Sequence, residues 1–131
     1  MRIKVIDKSD KTILVIEDDT DLMEIYLTFL EDNFKWKQVY SATNGNDAKH
    51  LLKTKEIDVV VSDFKLPDYD GVELLKKMHH KNVPIPKYIF ITGYDSAQFR
   101  KEVRSLGVAV ILRKPLNDKL MNELTQRLKI A

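Results

Sequence analysis

The run VVVSDFKLPDYDG, residues 59 to 71, decides the fold. Its valines are β-branched and follow one another without polar interruption, as in a parallel strand covered on both faces. The residues from Pro67 onward read as a turn. Asp63 stands where the strand ends and the turn begins. Working outward, three further apolar blocks have the same character: TILVI (12 to 16), YIFIT (88 to 92) and VAVIL (108 to 112), with the valine block itself reading as IDVVVS (57 to 62). A weaker block, KQVYSA (37 to 42), fits between the first two, and its poorer pattern predicts a position nearer a sheet edge.

Helical periodicity fills the gaps. Leu22, Ile25, Tyr26, Phe29 and Leu30 recur as one apolar stripe, and Leu74, Leu75 and Met78 repeat it after Gly71. Ala48, Leu51 and Leu52 mark another helix, Ala97, Phe99 and Val103 a fourth, and Leu120, Leu124 and Leu128 the last. Asn44, Ser96 and Asn117 are placed to cap helices, and Gly107 to end the fourth. Five β-α units predict an α/β domain: an open parallel sheet with right-handed crossovers and helices on both faces.

The 131 residues suit one domain with one ordinary core. Lys plus Arg number 22 against 20 Asp plus Glu, a balance of +2 that gives no reason to expect a nucleic-acid or membrane surface. The absence of cysteine excludes disulfides and thiolate metal sites. MRIKVIDKSDK lacks the continuous apolar core of a signal peptide, and no later run is long enough to span a membrane. A soluble, cytoplasmic protein is expected, in which residues 1–11 form a polar extension with no assigned role.

In open α/β sheets ligands gather beyond the carboxyl ends of the strands. Glu17, Asp18 and Asp19 follow the first strand, Asp63 the third, Thr92 ends the fourth, and Lys114 with Pro115 follows the fifth. Each alone also reads as a helix cap or a turn residue. Together they fall at one end of one sheet. If strands one and three are neighbours, their acids meet, and their mutual repulsion calls for a cation. An all-oxygen donor set suits magnesium.

ILVIEDD, VVVSDFKLPDYDG, IFITG and ILRKP together resemble the successive signatures of the response-regulator receiver domain, the CheY-like module of two-component signalling. The likeness spans about residue 12 to 128. It implies a doubly wound (βα)5 flavodoxin-like three-layer sandwich with strand order 2-1-3-4-5, filling residues 12–131. It further implies that Asp63 is the phosphoacceptor and that Mg2+ is held by Glu17, Asp18, Asp63 and the backbone carbonyl of Lys65. Lys114 would pair with Asp63 and later with a phosphoryl oxygen, and Thr92 would be the switch hydroxyl. The Lys114–Pro115 bond is expected to be cis. Asp19 lies one position too late for the metal and suits the first turn of the helix.

The donor implied is a phosphohistidine on a sensor histidine kinase or phosphotransfer protein, with small acyl phosphates as substitutes. The domain would catalyse its own phosphorylation and dephosphorylation rather than act as an enzyme on others. Leu22, Met23, Tyr26 and the β5–α5 loop are candidate docking residues. Phosphoryl transfer requires positioning and charge more than a strong base, so His50, His79 and His80 are set aside as surface residues. Gly93 leaves the site open, whereas Lys65 and Tyr94 would hinder water and slow dephosphorylation. One position departs from the family: Ile111 stands three residues before Lys114, where an aromatic is usual. That departure admits an alternative, a phosphate sink or scaffold with weak output. An aspartyl phosphatase would require a second aspartate at position 65, where Lys65 stands. A nucleotide-binding protein would require a glycine-rich loop after the first strand, and none is present.

Overall fold

Five parallel strands alternate with five helices: β1 (Ile6–Ile16), α1 (Thr20–Asn33), β2 (Phe34–Ala42), α2 (Gly45–Thr54), β3 (Val59–Asp63), α3 (Gly71–His80), β4 (Lys87–Thr92), α4 (Ala97–Ser105), β5 (Val110–Arg113) and α5 (Asp118–Ile130). The computed structural model describes residues 5–68, 71–80, 86–93, 96–108 and 110–131. The sheet order is β2-β1-β3-β4-β5, all neighbours parallel, with β2 at an edge as its weaker pattern predicted.

Alternate residues of each strand face opposite layers. Ile13, Val15, Val61, Ile89, Ile91 and Leu112 pack against α1 and α5, whose contributions include Met23, Leu30, Leu120 and Leu124. Leu14, Ile16, Val60, Tyr88 and Phe90 point the other way, onto α2, α3 and α4. A sheet buried on both faces explains why its strands read as unbroken apolar runs. The chain winds in one direction from β1 to β2 and in the other from β1 to β3. The crevice at that reversal lies above the carboxyl ends of β1 and β3, which is where a ligand site is expected.

The helix signals hold. Asn44 accepts from the Asp47 N–H, Ser96 from Phe99 and Asn117 from Leu120. Gly107 adopts φ 91° and follows α4, where the Val108 N–H returns to the Val103 carbonyl at 2.9 Å.

Three expectations require correction. Residues 6–11, read as part of a polar extension, are the first half of β1, pairing Ile6, Asp7 and Lys8 with Phe34, Lys35 and Trp36. The register then shifts between Lys8 and Thr12, where the Asp7 carboxylate accepts from the Ser9 N–H at 2.9 Å and its hydroxyl at 2.6 Å. Lys8 also donates to the carbonyls of Lys129 and Ala131, both at 2.8 Å, placing a cation at the negative end of α5. Next, the α1 stripe is rotated: Met23, Tyr26 and Leu30 are buried, whereas Ile25 is 46% exposed. Met23 and Tyr26 are therefore core residues and not a docking surface, and Leu22 is half-buried against the same core. Last, β5 begins at Val110, so Val108 precedes it.

Candidate functional site

The site is assembled from the ends of β1, β3, β4 and β5. The residues EDD after β1 divide into three environments. Glu17 is drawn under the surface, 2% exposed, by a backbone bond from its N–H to the Ala42 carbonyl of β2 at 3.0 Å. Asp18 is exposed. Asp19 caps α1, accepting from the N–H groups of Asp21 at 2.9 Å and Leu22 at 3.1 Å. At the end of β3, Asp63 is half-buried, and its Oδ1 accepts from the Phe64 N–H at 2.7 Å.

Lys114 comes from the far side of the sheet. Its backbone N–H donates to the Thr92 carbonyl at 3.0 Å, tying it to the end of β4, and the Lys114–Pro115 bond is cis as expected. Its ammonium lies 3.1 Å from Asp63 Oδ2 and 3.5 Å from Glu17 Oε1. Thr92 is buried, and it lines a depression of about 540 Å3 with Asp63, Phe64, Lys65 and Gly93. A Cβ added at Gly93 would meet nothing within 4 Å, so packing does not demand glycine there. Lys65 is exposed at the rim. Tyr94 lies outside the described residues, as do Tyr69 and Asp70 of the quoted turn.

The electrostatics follow from burial and crowding. Desolvation pushes the Glu17 carboxyl up to about 7, the Asp19 N–H pulls it back, and the charge of Asp63 raises it further against the attraction of Lys114. For Lys114, burial alone would lower the ammonium's pKa. The hydrogen bond to Asp63 and the charges of Asp63 and Glu17 outweigh it, and the pKa is raised. Carboxylate oxygens of Glu17, Asp18 and Asp63 lie within 4.8 Å of one another. These three acids face one ammonium, an imbalance that a hard divalent cation would correct, and the oxygen donors fit such an ion. They are the residues that could hold it.

Several features were not foreseen from sequence. The Phe64 amide holds Asp63, and the Phe64 ring stacks edge-on against Phe99 of α4 at 4.7 Å, which in turn meets Phe90 of β4 at 5.7 Å. Ile111 packs, half-buried, against the same cluster. Asp68, beyond β3, accepts from the N–H groups of Gly45 at 2.7 Å and Asn46 at 2.8 Å, pinning that loop to the start of α2. The Phe64–Phe99 and Asp68–α2 contacts leave no local signal, because each joins segments distant in sequence. His50 is exposed on α2, and the side chains of His79 and His80 lie outside those described.

A family model described as the response regulator receiver domain matches residues 13–128. Among curated proteins, the response regulator SaeR of Staphylococcus aureus is 26% identical over 121 residues, covering 89% of this chain and 51% of SaeR. The chain thus spans about half the length of the curated relatives it matches. Among solved structures, the response regulator receiver domain protein (CheY-like) from Methanospirillum hungatei JF-1 superposes with a TM-score of 0.78 at 29% identity, covering 92% of this chain and 91% of that one. A chain of the CheX–CheY–BeF3–Mg2+ complex from Borrelia burgdorferi shares the fold, with a TM-score of 0.73, 21% identity, and 90% and 86% coverage.

Proposed function

Because this chain belongs to the response regulator receiver domain family, we propose that it takes a phosphoryl group onto Asp63 with Mg2+ and thereby switches a protein-interaction surface. The observation that carries the reading is the convergence of Glu17, Asp18 and Asp63 with the Lys114 ammonium 3.1 Å from Asp63. A solved relative of the same fold was crystallised with Mg2+ and BeF3, which supports the choice of metal.

Asp63 supplies the attacking oxygen. Its new P–O bond forms as the P–N bond of a phosphohistidine breaks, and the imidazole leaves with the bonding pair. The Phe64 N–H fixes the carboxylate through Oδ1, so Asp63 is oriented before the donor arrives. Lys114 neutralises charge first on Asp63 and then on a phosphoryl oxygen. The buried Thr92 hydroxyl donates to another phosphoryl oxygen after transfer. The ion would be held by the carboxylates of Glu17, Asp18 and Asp63 and by the Lys65 carbonyl. When bound, Mg2+ supplies positive charge beside the phosphoryl oxygens. The domain in this way catalyses its own phosphorylation and dephosphorylation. Lys65 at the rim hinders hydrolytic water and slows the second step.

The partner is a histidine kinase or a phosphotransfer protein, docking near the half-buried Leu22 and the loop after β5. No helix among the described residues is long and apolar enough to cross a membrane. A cytoplasmic setting without nucleic-acid or membrane contact suits a protein whose charge is nearly balanced. One receiver domain would fill residues 12–131, with residues 6–11 lengthening its sheet.

Ile111 is the observation behind the alternative reading, a phosphate sink without output. The contact from Phe64 to Phe99 gives α4 another connection to the phosphoacceptor, and we adopt the switch. To test the acceptor, the protein is treated with a small acyl phosphate and Mg2+ and then reduced with borohydride, which converts an aspartyl phosphate to homoserine. Peptide mass spectrometry should find homoserine at position 63. Homoserine elsewhere, or phosphorylation undiminished in Asp63→Asn, would overturn the assignment.

A further inference from the structure

Tyr26 is a polar residue in an apolar layer. It is 3% exposed, packed between α1, the sheet and α5, and its buried hydroxyl has no hydrogen-bond partner among the described residues. A buried hydroxyl left unpaired destabilises a protein, and phenylalanine would fill nearly the same volume without that penalty. Such a group calls for an explanation.

Its location suggests one. Helix α1 starts at Thr20, immediately beyond Glu17–Asp19, and helical side chains lean toward the N-terminus of their helix. The lean of Tyr26 is therefore toward the end of α1 nearest Glu17–Asp19. Besides burial, the groups that raise its pKa are Glu17 and Asp63, so both carboxylates act on the hydroxyl through the low-dielectric interior. Glu17 also has acceptor capacity to spare. A carboxylate offers about four lone-pair positions, and the contacts of Glu17 are the Asp19 N–H at 3.2 Å on Oε2, the Lys114 ammonium at 3.5 Å on Oε1 and a side-chain hydrogen bond with Asp18.

We propose that Tyr26 is a positioning residue for the metal site: when a divalent cation is bound, its hydroxyl donates a hydrogen bond to the Glu17 side of the oxygen cage, directly or through one ordered water. This rests on the reading of Glu17, Asp18 and Asp63 as a magnesium site. Outer partners of this kind orient the ligands and typically change metal affinity by about ten- to a hundredfold.

The test compares the wild type with Tyr26→Phe by urea denaturation, first in excess chelator and then at stepped magnesium concentrations, with sodium added to hold ionic strength constant. The rise of the midpoint with magnesium gives the dissociation constant of each protein. In chelator the variant should be at least as stable as the wild type, and its magnesium dissociation constant should be weaker by about tenfold. Equal magnesium dependence in the two proteins would overturn the inference while leaving the metal site intact. So would a variant that is less stable in chelator, since the hydroxyl would then already be satisfied without the ion. A wild type that gains nothing from magnesium would overturn the metal reading and the inference together.

Discussion

Replacing Glu17 by glutamine should stabilise the metal-free protein, and by an amount that depends on pH. The side chain is 2% exposed, and burial pushes its carboxyl from 4.5 to about 7. Between those values the unfolded chain has already lost the proton that the folded protein retains. The folded state therefore binds more protons, and stability falls as pH rises, with a slope approaching about 1.4 kcal/mol per pH unit. The stabilising contribution is complete below the unfolded value and is lost above pH 7, where ionised Glu17 costs the fold about 3 kcal/mol. Glutamine keeps the shape and an oxygen for the Asp19 N–H and never ionises. At pH 8 in chelator, Glu17→Gln should therefore exceed the wild type by up to about 3 kcal/mol, a urea midpoint higher by roughly 1–2 M. Near pH 4.5 the two should converge. Magnesium should reverse the order, since only the wild type retains the third carboxylate. Urea denaturation at stepped pH measures the difference directly. A gap constant across pH, or a variant less stable than the wild type at pH 8 in chelator, would refute the argument that desolvation dominates at Glu17.

Lys114→Met removes the ammonium 3.1 Å from Asp63, and phosphorylation by a small acyl phosphate should slow by about a hundredfold, read as phosphorylated mass against time. Asp68→Ala deletes two hydrogen bonds at the start of α2 and should cost roughly 1–2 kcal/mol in urea denaturation, whereas a loss below about 0.5 kcal/mol would show the loop is held by other means. Phe99→Leu keeps an apolar side chain but removes the ring contacts to Phe64 and Phe90, costing about 1 kcal/mol. It should also blunt the change in amide exchange of α4 on phosphorylation, and an undiminished change would remove Phe64 and Phe99 from the output route.

The strands were legible because a sheet covered on both faces leaves runs such as VVV and ILVI without polar interruption. The convergence of the candidate residues Glu17, Asp63, Thr92 and Lys114 was legible because the parallel arrangement brings successive strand ends to one side. The first half of β1 was not, since its residues are half-buried or exposed and only Ile6 packs against the edge of the core, so its polar sequence resembles a loop. The α1 face was ambiguous for another reason. Stripes through Ile25 and through Met23 both satisfy helical spacing, and only packing against β1 and α5 selects the second. Asp68 on α2 and Phe64 on Phe99 depend on tertiary closure, which no local pattern encodes. The near-neutral titration of Glu17 likewise comes from its depth beneath the surface, which residue type alone does not reveal.

The most direct measurement is the intact mass of the protein during incubation with a small acyl phosphate, for the wild type with magnesium, the wild type with excess chelator, and Asp63→Asn with magnesium. The expected result is one added phosphoryl group in the first sample and essentially none in the other two. Comparable uptake under chelator would contradict the role given to the acidic cluster, and comparable uptake by Asp63→Asn would contradict the role given to Asp63.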